Sequence, residues 1–224
     1  MEEPLDEVSA RVLGSLIEKE LTTPDNYPLT LKALTSACNQ TSSRVPVMEL
    51  DEATVTRTLD HLQTRSLARG IHRGDARVMR YRQEIGERMH LHRPELAALS
   101  VLMLRGPQTA GEIRTRTARA FEFVAPSHVE VTLESMAELS TPLVAALPRR
   151  PGQKEVRYTH LLCGHPPDEV AEENPAPAAS PRPATSPRPT ATDRVDGLER
   201  ELGSLRDEVT ALKAQFDAFR RQFE

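Results

Sequence analysis

No stretch of the 224 residues approaches the roughly 18 consecutive apolar positions that a membrane helix requires. A spanning segment is therefore not expected. The opening Met1-Glu2-Glu3-Pro4 is acidic where a secretory signal starts basic and turns apolar, so the expected location is the cytoplasm. Cysteine is scarce: Cys38 and Cys163 alone cannot build a disulfide framework, and both read as free thiols. The chain also lacks a P-loop, a Gly-rich dinucleotide turn, a nucleophile elbow and an H-E-x-x-H helix. Its isolated Ser, His and Asp residues form no pattern that brings them together, and the expectation is a protein that is not an enzyme and carries no cofactor.

Charge is present but unevenly placed. Residues 1–164 hold 21 Lys and Arg against 21 Asp and Glu, whereas 165–224 hold 8 against 12, so the net −4 resides in the C-terminal part. Within the neutral front, Arg65, Arg69, Arg73, Arg77, Arg80 and Arg82 face a single acid, Asp75. This local +5 is the sharpest electrostatic feature of the sequence.

Composition changes after Gly164. Residues 165–192 carry eight of the 18 prolines and, apart from Val170, no large apolar side chain. Such a segment cannot bury enough surface to offset chain entropy and reads as an extended tether, reaching on the order of 80 Å at about 3.1 Å per residue. A heptad pattern follows in residues 193–224. Val195, Leu202, Val209, Phe216 and Phe223 take the a positions, and Leu198, Leu205, Leu212 and Phe219 the d positions. Val at a with Leu at d favours a parallel dimer, in which Glu201 would meet Arg206 and Glu208 would meet Lys213. The expected oligomer is a homodimer held through this coiled coil, although the terminal phenylalanines are bulky for a two-stranded seam.

The front repeats itself. Val55, Leu59 and Leu62 mark one face of a helix, and the same spacing returns 74 residues later as Val129, Leu133 and Met136. Asp51 and Ser127 are placed as the caps of these helices. Each is followed by a hairpin: Ala68 to His72 and Arg77 to Arg82 around Arg73-Gly74-Asp75, then Leu143 to Leu147 and Glu155 to Leu161 around Pro151-Gly152. The dipeptide Arg80-Tyr81 recurs as Arg157-Tyr158. Two helices precede each unit. Val8, Val12, Leu13, Leu16 and Ile17 form one apolar stripe and Leu96, Leu99, Leu102 and Met103 another, each with a short second helix after it, Thr30 to Ala37 and Thr109 to Arg116. The order helix, helix, helix, hairpin predicts an α+β, mostly helical chain: two tandem winged-helix domains (1–83 and 84–164), a Pro-rich linker (165–192) and a coiled-coil helix (193–224).

The strings Arg11-Val12-Leu13-Gly14, Ile17 to Asp25, Tyr27-Pro28-Leu29, Ala37-Cys38-Asn39-Gln40, Ser43-Arg44 and Pro46-Val47-Met48 resemble the signature of the bacterial YceH-like family. The resemblance spans residues 5 to about 163 and reaches loosely into the terminal heptads. It implies a tandem winged-helix fold and brings no particular activity with it. Two positions depart from the family pattern: Thr41 stands where Lys is usual, and Val45 where Asp is usual before Pro46.

In a winged helix the third helix enters the major groove and the wing reaches nearby backbone, so Arg57 with Arg69, Arg73 and Arg77 are the expected contacts to double-stranded DNA. The competing reading is a solvated edge hairpin kept charged against edge pairing, and Asp51, Glu52 and Asp60 weaken the DNA case. In the second copy, Glu130, Glu134 and Glu138 form an acidic stripe that phosphate would repel; it is either solvated or turned to a basic surface, with Arg114, Arg116 and Arg119 as candidates. The polar loop Cys38 to Arg44 could hold an anion but more simply satisfies its own backbone. His160, Cys163 and His165, and His90 with His92, match no common zinc spacing, so no metal is expected. The sequence reading is a DNA-binding regulatory or architectural protein; the alternative is a protein-interaction module with coiled-coil oligomerisation and no nucleic acid, docking a protein partner.

Overall fold

The computed structural model describes residues 4–72, 78–149 and 155–164, all within one compact unit spanning 1–170. The chain is a mixed α+β protein, about half of the described residues being helical, with two small antiparallel sheets. The tether and the heptad residues from Val195 to Phe219, like Arg73 and Arg77, lie outside the described residues. No helix among the described residues is long and apolar enough to cross a membrane.

The architecture is one pattern used twice. In the first copy α1 (Glu7–Thr22) leads through a short 3-10 turn (Pro24–Asn26) to β1 (Leu29–Thr30), α2 (Leu31–Cys38), α3 (Glu52–Thr64) and the strands β2 (Ala68–Ile71) and β3 (Arg80–Gln83). After α4 (Ile85–Met89), the second copy runs α5 (Arg93–Arg105), β4 (Gln108–Thr109), α6 (Ala110–Thr117), α7 (Pro126–Ala137), β5 (Val144–Leu147) and β6 (Arg157–His160). The sheet orders are β1-β3-β2 and β4-β6-β5, so in each copy the last strand sits in the middle.

The repeated Arg-Tyr dipeptide explains how the short strand is captured. Arg80 lies opposite Thr30 and Arg157 opposite Thr109. Each guanidinium donates to the carbonyl of the proline just before the short strand, Pro28 at 2.8 Å and Pro107 at 2.5 Å. Thr30 and Thr109 then act as N-caps, accepting from the backbone of Ala33 and Glu112 at 3.3 and 3.2 Å. One threonine thus ends a strand and starts a helix in both copies.

The third helices bury the expected faces: Val55, Leu59, Leu62, Val129 and Leu133 are fully buried and Met136 nearly so. Full burial of such a side chain is worth about 1.5–3 kcal/mol. Asp51 caps α3, accepting from Thr54 N–H at 2.7 Å. Ser127 does not cap α7. The chain enters from Ala125, and Pro126 occupies the first turn, where its fixed φ suits the helix and its missing N–H leaves nothing to satisfy.

The expected apolar stripes on α1 and α5 prove to be wider. Residues 9–17 and 96–104 are buried without interruption, because each helix covers its own repeat on one side and the other repeat on the other. The two copies consequently share one core, which runs from Leu5 to Leu162. Gly14 allows the close crossing: a Cβ there would stand 3.0 Å from Met103 Cβ. The backbone of Leu5 donates to Leu162 O at 2.7 Å, which ties the start of the first copy to the end of the second.

Candidate functional site

The outer face of α3 is exposed and polar, carrying Glu52, Arg57, Asp60, His61 and Thr64. Arg57, exposed, donates to Thr54 Oγ1 at 3.0 Å, its one hydrogen bond among the described residues. The basic hairpin is more constrained. Arg80 is spent on Pro28, and Arg65 is the C-cap residue of α3. Arg82 binds Glu84 at 3.0 Å and Glu87 at 2.5 Å. Arg69, two-thirds exposed, lies 3.6 Å from Glu84. Glu84 and Glu87 fall just beyond the run of arginines, so the local +5 is partly neutralised by acids that the window did not include. Of the expected contacts, Arg57 and Arg69 stand on the α3 and hairpin surface.

The corresponding helix of the second copy differs. Glu130 and Glu134 on α7 and Glu138 at its C-cap are exposed, and burial followed by the charges of Glu130 and Glu134 raises the Tyr158 phenol above its ordinary range. The arginines considered as partners for this stripe go elsewhere. Arg114 donates to Phe123 O at 3.0 Å and Arg116 pairs with Glu112 at 3.2 Å. Arg119 has no hydrogen-bond or ion-pair partner among the described residues.

The loop after α2 is built on two buried arginines. Arg11, 1% exposed on α1, donates to Cys38 O at 3.1 Å and to Pro46 O at 2.5 Å. Arg44 donates twice to Ala37 O, at 2.8 and 3.1 Å, and forms a two-pronged pair with Glu18 at 2.7 and 3.1 Å. Together they occupy two of the carbonyls that the end of α2 leaves open, those of Ala37 and Cys38. Burial opposes ionisation of Glu18, but the Arg44 guanidinium outweighs it and holds the carboxyl below its ordinary range. Asn39 closes the base of the loop, donating to Leu50 O at 2.7 Å and accepting from Leu50 N–H at 2.8 Å. Cys38 is buried here, and burial pushes its thiol up to about 11, far from a reactive thiolate.

This loop forms one wall of a cleft of about 600 Å³ between the two copies. Lys19 enters from α1, Arg105 from the end of α5, and Arg116 and Arg119 from the end of α6 and just beyond it. Ser42 and Ser43 line the loop side, and Arg105 donates to Ser43 Oγ at 2.6 Å. The sequence shows these cations only as single basic residues in the last turns of separate helices, and no local spacing betrays that they converge.

His160 and Cys163 border a second cavity, of about 340 Å³, beside Arg11, Pro46 and Met103. Burial lowers His160 to about 4 and raises Cys163 to about 11. Cys163 Sγ lies 3.7 Å from Asp6 O. His90 ends α4 in a left-handed conformation, and His92 starts α5, its N–H donating to Glu95 at 3.0 Å. Among the described residues no three His, Cys, Asp or Glu side chains gather as a metal site.

Residues 5–153 match the family described as "Protein of unknown function, DUF480". The chain belongs to this family. It is 49% identical over 225 residues to a UPF0502 protein of Geobacter sulfurreducens, covering 100% of both chains. A UPF0502 protein of Herminiimonas arsenicoxydans is 46% identical over 98% of this chain and 90% of its own. One from Opitutus terrae reaches 51% over 174 residues, 77% of this chain and 76% of its own. The resemblance read from the strings between Arg11 and Met48 points to an uncharacterised bacterial family, and so does the match.

Proposed function

We propose that each copy is a winged helix and that this DUF480 protein binds double-stranded DNA through the first copy, as a regulatory or architectural protein of the cytoplasm without catalytic activity. The observation that carries the reading is the position of α3. Its inner face is locked into the core by Val55, Leu59 and Leu62, while its polar outer face stands free beside the β2–β3 strands. A helix so placed can enter a major groove while its neighbours meet the backbone. Arg57 and Arg69 supply the cations, and Arg73 and Arg77, outside the described residues, are the further expected contacts. Residues 193–224 would pair two chains, and the tether would let the paired first copies meet half-sites of variable spacing.

Fluorescence anisotropy of the full chain on a random-sequence duplex tests this reading. Affinity should fall steeply with salt, and Arg57→Ala with Arg69→Ala should flatten the log–log slope by about one unit for each arginine removed. Undiminished binding in the double variant, or none at low salt, overturns it.

One observation favours a second reading. Glu84 and Glu87 occupy the hairpin arginines, and α7 is acidic, a distribution suited to docking a protein rather than phosphate. In that case binding to a duplex is absent and the coiled coil and α7 are the partner surfaces.

A further inference from the structure

The cleft between the two copies has a charge balance that the packing of the chain does not explain. Lys19, Arg105, Arg116 and Arg119 line it, and Arg44 lies buried just behind its loop wall. Against these five stand Glu18, already held by Arg44 at 2.7 Å and Lys19 at 3.3 Å, and Glu112, held by Arg116. Cations near the ends of helices often answer the helix dipole, and the last residues of α1, α5 and α6 and the cap of α2 do border the cleft. Four such ends contribute about half a negative charge each, so the cations still exceed acids and helix ends by about one unit. The carbonyl of Ala37 near the end of α2 is moreover already taken by Arg44, and that of Cys38 by Arg11.

The excess is felt within the cleft. Burial, and then the like charge of Arg116, lower Arg105 below its ordinary value, with Arg44 adding to the same effect. Arg119 has no partner among the described residues, and neither do the hydroxyls of Ser36, Thr41 and Ser42 on the same lining. Cations from both copies and unengaged hydroxyls thus face one polar space, the chemistry that recognises a tetrahedral oxyanion.

We propose that this cleft binds a phosphate group, free or carried by a small phosphomonoester, between Arg105, Arg116 and Arg119 on one side and the Thr41-Ser42-Ser43 loop on the other. Arg105, fixed against Ser43, presents its free N–H groups to the oxyanion. Arg119 closes over it and Ser42 donates a hydroxyl hydrogen. The two copies contribute opposite walls, so a bound anion bridges them and stabilises their packing. This site stands apart from the α3 surface and does not depend on whether DNA is bound.

Isothermal titration calorimetry on the full chain, with inorganic phosphate and then phenyl phosphate against chloride at matched ionic strength, tests the assignment. Saturable one-to-one binding of phosphate is expected. Arg119→Ala, at an exposed position without a partner among the described residues, keeps the fold and should weaken binding at least tenfold. Ser42→Glu, which puts a carboxylate into the cleft, should abolish it, with unchanged circular dichroism in both variants. Tighter binding of phenyl phosphate than of phosphate identifies a phosphomonoester as the ligand, and equal or weaker binding identifies the free ion. No saturable binding, or binding that survives both variants, overturns the proposal.

Discussion

The first and second copies build the same scaffold and carry different surfaces on it. Each captures a two-residue strand with an arginine on a proline carbonyl, caps the next helix with the same threonine, and buries three apolar side chains of its third helix at matching positions. Outside that frame they diverge. The exposed face of α3 mixes Arg57 and His61 with Glu52 and Asp60, whereas that of α7 offers Glu130 and Glu134, with Glu138 at its C-cap. Residues 39–51 separate α2 from α3 and are pinned by Arg11, Arg44 and Asn39; the shorter segment between α6 and α7 is held by Arg114 on Phe123 O. Packing preserves what both copies need, and the surfaces are left to do different work.

The largest expected effect tests whether the pinned loop belongs to the core of the first copy alone. Arg44→Ala leaves Ala37 O unsatisfied and Glu18 with Lys19 as its remaining partner, and should destabilise the chain by about 3 kcal/mol in chemical denaturation. Arg114→Ala, at the corresponding loop of the second copy, should cost about 1 kcal/mol, the net worth of one hydrogen bond to a partly buried carbonyl. Equal losses would dissolve the distinction.

A second test exchanges equivalent strand positions. Gln83 of β3 is neutral at every pH and donates to Glu20 at 2.6 Å, while His160 of β6 is depressed to about 4 by burial. The unfolded chain takes up a proton near pH 6.5 that the folded chain refuses until about pH 4. Stability present above pH 6.5 is therefore lost as pH falls through that window, by about 1–3 kcal/mol. His160→Gln should flatten the stability profile between pH 6.5 and 4, measured by urea midpoints at fixed ionic strength. An unchanged slope would assign the acid sensitivity to carboxylates instead.

The smallest contrast concerns the caps. Asp51→Ala removes the acceptor for Thr54 N–H and should lower the melting temperature, whereas Ser127→Ala should leave it unchanged because α7 starts on Pro126. A comparable drop in both would show that Ser127 caps after all.

The sequence made the third helices and the hairpins legible because their signals are local: a three-four spacing, an alternation and a turn. It hid β1 and β4, whose two residues are strands through pairing with the distant β3 and β6. The five-residue α4 is too short to show a period. Burial of Arg11 and Arg44 could not be read, since an isolated arginine looks like surface until the carbonyls it serves are placed around it. The candidate interface was half legible. Arg57 and Arg69 stand on the α3 and hairpin surface, but the window that counted six arginines stopped short of Glu84 and Glu87. Of the cleft only the loop wall was legible, as a polar stretch able to hold an anion; its cations lie up to 100 residues apart and meet only through the α1–α5 packing that Gly14 permits.

The most direct test of the division between the copies is hydrogen–deuterium exchange of the full chain with and without a duplex at low salt. Protection of residues 52–64 and of the β2–β3 strands is expected, with none of residues 126–137. Protection confined to α7, or none in either copy while the duplex is bound, would contradict a division in which the first copy alone meets DNA.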